Sequence, residues 1–318
     1  MEFSFAAVSL EAINPTDHAF RISTTRDKPS IDESIRTDGL LVPPALYRQG
    51  ADWIVISGFR RINACMQAGH RMVSARLLAD HLSPLECLRL AIIENSSQRK
   101  LNLVESARVV RRLKRLCLTD QDLTSELARL GLPSTRKMIA RLERINQLPG
   151  PLQAGVVDGV LSPDVALAIG ALPVADQNVV HDLFSKIPMS VGKQRDVLYL
   201  AQDIAGRDHQ TVATVLHANS IRAIVDDRDR DRNMKSAEIR RHLRQVRYPN
   251  LVRAEMRFRT AIGKLRLGPH MRIAPPEGFE GQSYTLSLRF RTIEDLNLAH
   301  RKLGHAIKHP AITELFIE

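Results

Sequence analysis

Trp53-Ile54-Val55-Ile56, followed at once by Ser57-Gly58-Phe59-Arg60-Arg61-Ile62-Asn63-Ala64, decides the N-terminal fold. Asp52 to Ser57 alternates toward a β-strand, and Arg60 to Ala68 reads as a helix stopped at Gly69. A glycine and two arginines therefore stand at a strand-to-helix junction. Backbone N–H groups and the helix dipole gather positive potential at such a junction and favour a bound phosphate. A turn glycine beside two surface arginines would look the same, so the neighbouring segments decide its weight.

Working outward, Ser34 to Asp38 reads as a short helix end closed at Gly39, and Met72 to Leu78 as a further strand. Ser83-Pro84-Leu85-Glu86 is a helix start, with an N-cap serine, a first-turn proline and a glutamate that can reach back to the cap. That helix is expected to end near Glu94. Its C-terminus would then carry the Glu94 carboxylate and the Asn95 amide, oxygen donors of the kind Mg²⁺ takes alongside substrate phosphates. From Asn102 to about Asp226 every signal is helical. Asn102 with Glu105 and Thr119 with Asp122 resemble capping boxes, Ser162-Pro163 opens another helix, and Gly131, Gly159 and Gly206 are natural stops. The run Asp226-Asp227-Arg228-Asp229-Arg230-Asp231-Arg232 buries nothing and reads as a linker or a solvated helix. Beyond it come a basic helical region (Ser236 to about Lys264), strands at Met271–Ile273 and Tyr284–Phe290, a helix over Thr292–Ile307 and a last strand at Leu315–Ile317.

The expected fold class is α+β and multidomain. A small α/β domain spans 1–95 and an all-helical domain 96–225; a charged linker with basic helix covers 226–260, and a C-terminal α+β domain 261–318. Aromatics are 4% of the 318 residues, with Trp53 the single tryptophan, so the cores must be aliphatic. Cys65, Cys87 and Cys117 have neither CxxC nor zinc-ligand spacing, which excludes a disulfide framework and a zinc ribbon. No apolar run approaches the roughly 18 residues a membrane span needs; Val165 to Leu172 comes nearest and is cut by Pro173. The reading is a soluble, cytoplasmic protein with no membrane partner.

The formal charge of +11 is unevenly placed: −1 over residues 1–95, +7 over 96–150, −2 over 151–225 and +7 over 226–318. In the first basic block, Arg108, Arg111, Arg112 and Arg115 fall at i, i+3, i+4 and i+7 and form one face that would contact a DNA backbone or form a domain interface, while Val104, Ala107, Val110 and Leu113 form a separate apolar stripe. Asp120 to Leu130, Gly131, then Ser134 to Gln147 read as a helix-turn-helix. Its second helix offers Thr135, Arg136, Lys137 and Arg141 outward and Met138, Ile139, Leu142 and Ile145 inward. Side chains at the start of such a helix can reach base edges in double-stranded DNA. Gly131 to Ile139 is longer than in a compact helix-turn-helix, with Leu132-Pro133 as the insertion, and a plain helical hairpin has the same spacing.

In this order the pieces resemble the ParB/RepB family of DNA-partition proteins, over roughly residues 10–175. The family's Gly-Glu-Arg-Arg motif looks like Gly58-Phe59-Arg60-Arg61. Its Glu-Asn-x-x-Arg motif, then Leu-Asn and a glutamate, looks like Glu94-Asn95, Leu101-Asn102 and Glu105. Its helix-turn-helix, Leu-Pro and Gly-x-Leu-Ser look like Ala128 to Ile145, Leu148-Pro149 and Gly159-Val160-Leu161-Ser162. Asn14-Pro15 and Ser34-Ile35 with Gly39 are similar to its opening segment. The resemblance implies a ParB- and sulfiredoxin-like N-terminal domain that binds CTP and Mg²⁺. Gly58, Arg60 and Arg61 would hold phosphate, and Glu94 and Asn95 the metal and its water. It further implies a homodimer that closes as a clamp on DNA, in plasmid or chromosome partition, and admits a partition ATPase as partner.

Three departures mark a divergent branch. Phe59 stands where the family has glutamate, which removes a carboxylate from the phosphates and implies at most a weak CTPase. Gln98 stands where the second motif has arginine, with Arg99 adjacent, and the opening Gln-Pro-Arg is missing, with Arg21 as a substitute. Sulfiredoxin chemistry needs a cysteine at the place of Phe59. There is no Walker P-loop or GxGxxG, and His305 and His309 at i, i+4 lack the zincin carboxylate. The alternative is a sequence-specific transcriptional regulator with a vestigial nucleotide pocket; a nuclease or kinase on the same N-terminal fold is a third reading. The C-terminal quarter does not match the family's dimerisation domain. It could pair subunits through a sheet edge or the Leu296/Leu298/Leu303 helix, bind DNA non-specifically, or serve as a plain folding module.

Overall fold

Residues 3–14, 16–24, 29–281, 283–313 and 315 are described by the computed structural model, and they fall into two compact units, Met1–Ser185 and Lys186–Glu318. In the first unit, β1 (Phe3–Ser9), α1 (Pro29–Asp38), β2 (Ala45–Gln49), β3 (Asp52–Ser57), α2 (Phe59–Gln67) and β4 (Met72–Leu78) build a mixed sheet of order β1-β4-β2-β3. β1 and β4 pair antiparallel from Phe3↔Leu78 to Ser9↔Met72, and β2 pairs antiparallel with β3 but parallel with β4. Period-2 alternation splits the strands between two cores. Val55, Val73 and Ala75 pack with Ile35, Ile62 and Cys65 from α1 and α2, whereas Ile56 and Leu78 join Leu88, Ala91 and Ile92 of α3 (Pro84–Gln98).

α3 begins with the expected capping box, the Ser83 side chain and Glu86 exchanging bonds. It does not stop near Glu94: the helix runs on to Gln98, so Glu94 and Asn95 sit inside its last turns rather than at its end. The helical part of the unit follows as α4 (Leu103–Leu116), α5 (Asp120–Arg129), α6 (Arg136–Gln147), α7 (Gly150–Val157), α8 (Pro163–Gly170) and α9 (Val174–Lys186). The α4 stripe Val104, Ala107, Val110 and Leu113 is buried, and Leu123, Leu127, Leu142 and Ile145 from α5 and α6 close over it. Capping boxes at Asn102 and Thr119 start α4 and α5, and the turn before α6 uses Gly131 at φ +68°.

The second unit contains α10 (Val191–Arg207), α11 (Val212–Leu216), α12 (Asn219–Asp226), α13 (Arg232–Arg247), α14 (Pro249–Leu265), β5 (Met271–Ala274), β6 (Thr285–Leu288), α15 (Ile293–Lys308) and α16 (Pro310–Thr313). Gly206 is not a stop: α10 passes through it to Arg207, and the left-handed residue is His209. The mixed-charge run is a short, tied turn between α12 and α13. Asp231 caps α13 by accepting from the Asn233 and Met234 N–H groups at 2.7 and 2.9 Å, and Arg230 pairs with Asp227 at 3.1 Å and with Glu238. β5 and β6 pair antiparallel beside Ala261, Leu265, Ala299 and Ala306. Phe316 and Ile317 of the last strand read from sequence lie outside the described residues, and Leu315 is in a turn. Among the described residues no helix is long and apolar enough to cross a membrane.

Candidate functional site

β3 passes into α2 through Gly58 at φ +88°, a conformation side chains disfavour. A Cβ there would lie 2.8 Å from Pro44 Cβ and 3.1 Å from the Arg61 guanidinium carbon, so only glycine fits. A cavity of about 460 Å³ lies over the first turn of α2. Gly58, Arg60, Arg61, Glu94 and Asn95 all line it, as do Ser57, Phe59 and the 39–42 segment. The two motifs, far apart in sequence, thus face one space. Ser57 is 3% exposed and its hydroxyl has no hydrogen-bond partner among the described residues. A buried hydroxyl without a partner costs free energy that a ligand oxygen would recover.

The charges in the cavity are already organised. Arg61 donates from Nη1 to the Val42 and Pro43 carbonyls at 2.7 and 3.2 Å, and from Nη2 to Glu94 Oε1 at 3.5 Å. Burial lowers the Arg61 pKa, opposed by Glu94. Arg76, from β4, donates to the same Glu94 oxygen at 2.8 Å. Asn95 Nδ2 donates to the Ala91 carbonyl at 2.7 Å, leaving its side-chain oxygen for any metal. The donor set fits a phosphate: a helix start, two arginines and an unpartnered hydroxyl. For Mg²⁺ it offers only the Glu94 and Asn95 oxygens, and no cluster of three His, Cys, Asp or Glu occurs among the described residues. Such an ion would have to share its ligands with phosphate oxygens, as is usual for Mg²⁺.

The sequence alone gives no role to Ser57 or Arg76. Arg76 leaves one trace there, a charge inside the apolar alternation of Met72–Leu78.

The four arginines of α4 do not form one open face. Arg112 donates from Nε to Ala19 O at 2.5 Å and from Nη2 to His18 O at 2.8 Å, and Arg108 donates to Ser23 O at 2.9 Å. These two lash the 18–24 segment onto α4, while Arg111 and Arg115 remain exposed. Glu105, with a fully buried side chain, secures the same segment. It accepts from both Arg99 Nη groups at 2.7 and 2.6 Å, from Thr24 N–H at 2.9 Å and from Asn102 N–H at 3.0 Å. Burial pushes its pKa up, but Arg99 and the two N–H groups together hold it below the usual carboxylate range.

In the helix-turn-helix, the Thr135 hydroxyl caps α6 by accepting from Met138 N–H at 3.4 Å. Arg136 and Lys137 are exposed at the helix start, whereas Arg141 pairs with Asp164 of α8 at 2.7 Å. Cys65 is fully buried, and burial raises its pKa, the opposite of what an attacking thiolate needs.

No protein-family model matches the chain. It is 28% identical over 204 residues to the chromosome-partitioning protein ParB of Myxococcus xanthus, covering 63% of this chain and 66% of that one. It is 30% identical over 145 residues to the chromosome-partitioning protein Spo0J of Thermus thermophilus, covering 46% and 51%. The chain thus spans between half and two thirds of the length of these relatives. Among solved structures, a C-terminally truncated ParB from Caulobacter crescentus complexed with CTP-γ-S aligns over 57% of this chain and 99% of its own, at 25% identity and a TM-score of 0.27. The chain has distant homology to ParB and Spo0J proteins and diverges from them widely.

Proposed function

We propose that this protein is a ParB-like, DNA-binding partition protein whose N-terminal cavity binds CTP with Mg²⁺. The observation that supports it is the convergence of Gly58, Arg60, Arg61, Glu94 and Asn95 on one cavity, in the unit that also carries a helix-turn-helix. Arg60, Arg61, the Ser57 hydroxyl and the start of α2 would bind the triphosphate; Glu94 and Asn95 would hold the ion. Arg136 and Lys137 would meet double-stranded DNA, with Thr135 setting the start of their helix. A homodimeric clamp, a partition ATPase as partner and a nucleoid- or plasmid-associated location belong to the same reading. With Phe59 at the first position of α2, Glu94 is the one carboxylate among the described lining residues, and hydrolysis should be weak or absent.

The test is direct binding of CTP, ATP, GTP and UTP with Mg²⁺ to the wild type and to Arg60→Ala. Selective CTP binding that the variant weakens at least about tenfold, the scale of one lost charge-assisted bond, is the expected result. A second reading is favoured by the mutual pairing of Arg61, Glu94 and Arg76, which satisfies these groups without any ligand. In that case no nucleotide would bind, even with duplex present, and the protein would be a transcriptional regulator on an inherited scaffold.

A further inference from the structure

A second cavity in the first unit, about 690 Å³, lies between the 18–24 segment, α4 and the α6–α7 corner at Asn146 and Gln153. That volume is typical of small-molecule sites. Arg21, Arg108, Arg111, Arg112 and Arg115 line it, and none of its described lining residues is Asp or Glu. The carbonyls of His18, Ala19 and Ser23 orient Arg112 and Arg108 but carry no charge to neutralise them. Burial, then repulsion from Arg108, Arg111 and Arg115, holds the Arg112 pKa down to about 10. The one carboxylate of α4, Glu105, is occupied by Arg99. Like charges gathered in a partly desolvated hollow oppose the fold until an anion fills it.

We propose that this basin is a second anion site, specific for a small oligophosphate, either free or as the tail of a nucleotide. Several guanidinium forks facing one space suit an ion with many oxygens and several charges, and planar paired donors match phosphate better than a single carboxylate. The apolar wall of Phe20, Leu88 and Leu116 leaves room for a base or sugar. A duplex would meet only the exposed Arg111 and Arg115, whereas an oligophosphate can also reach the half-buried Arg112. No arginine is common to the two cavities, but Ser23 lines both. The site does not depend on what the first cavity binds.

Inorganic triphosphate titrated calorimetrically into the full chain at low salt tests the proposal, with Arg60→Ala and Arg111→Ala/Arg115→Ala as variants. Binding should persist in Arg60→Ala and weaken by at least about tenfold in the double variant, whose changes are at exposed positions. In the wild type, triphosphate should shield Arg111 and Arg115 from phenylglyoxal, read by peptide mass, which needs no variant to fold. CTP or ATP shielding at much lower concentration than triphosphate would make the natural ligand a nucleotide; equal concentrations would make it free oligophosphate. Loss of all triphosphate binding in Arg60→Ala, or unchanged binding in the double variant, would overturn the site. So would shielding by duplex DNA alone, which would make these arginines a DNA-backbone contact.

Discussion

Residues 96–150 and 226–318 carry the same net charge, +7, yet the arginines of α4 and those of α13 are partnered in opposite ways. In α13 the arginines from Arg240 onward find carboxylates. Arg240 reaches Asp196 at 2.5 Å, Arg244 forms two bonds of 2.6 Å to Glu255, and Arg247 and Arg241 pair with Asp203 and Glu238. In α4 Arg108 and Arg112 hold backbone carbonyls, and Arg111 and Arg115 face an acid-free cavity. Net charge locates a basic segment; the placement of acids around it decides whether that charge is available to a phosphate. By this criterion α4, rather than α13, has charge available to an anion.

The comparison depends most on Glu105, because a free Glu105 could neutralise Arg108. Glu105→Ala would strand the Thr24 and Asn102 N–H groups and Arg99, and should cost about 3 kcal/mol in urea unfolding. A loss under about 1 kcal/mol would mean that the carboxylate is not committed. The pH dependence has a definite sign. The folded pKa is below the ordinary glutamate value, so the contribution is complete above that value and is lost as pH falls toward the folded pKa. The gap between wild type and Glu105→Gln should therefore narrow below about pH 4.3.

A smaller effect separates the two blocks on DNA. Removing both exposed cations at the start of α6, in Arg136→Ala/Lys137→Ala, should flatten the slope of log affinity against log salt by about 2, one phosphate contact each. Arg240→Ala/Arg244→Ala should leave the slope unchanged, since those guanidiniums are held by Asp196 and Glu255. Full engagement of six to eight phosphates gives a slope of about −5 to −7. Equal flattening by both pairs of changes would break the comparison.

What the sequence reveals follows from the range of the forces involved. The limits of β3 and β4, the capping boxes at Ser83, Asn102 and Thr119, and the buried stripe of α4 follow from local periodicity and i, i+3 chemistry, and all could be read directly. β1 could not: it buries only Val8 along Phe3–Ser9, and its register is imposed by β4 some seventy residues later. β2 is five residues long and has two different partners. The Gly58 and Glu94 motifs were legible as residue types, but their sharing of one cavity with Ser57 is a tertiary fact. The splitting of the α4 arginines was hidden for the same reason, since Arg112 bonds Ala19, 93 positions earlier.

The weakest effect tests the other half of the comparison, the value of a carboxylate partner at the surface. Arg244 and Glu255 form a two-bond pair with side chains 45% and 30% exposed. Water and salt screen such a pair, and ordering two long side chains opposes it, so a double-mutant cycle should give a coupling of about 0.5 kcal/mol. The Arg244 guanidinium holds the Glu255 carboxyl below its ordinary range, so the coupling should be full at neutral pH and fade as pH falls through the glutamate range. It should also shrink on raising salt. A coupling near 3 kcal/mol that salt leaves unchanged would place the pair in a dry environment. Ion pairing in α13 and α14 would then hold the fold together, and would not simply neutralise charge that α4 leaves open.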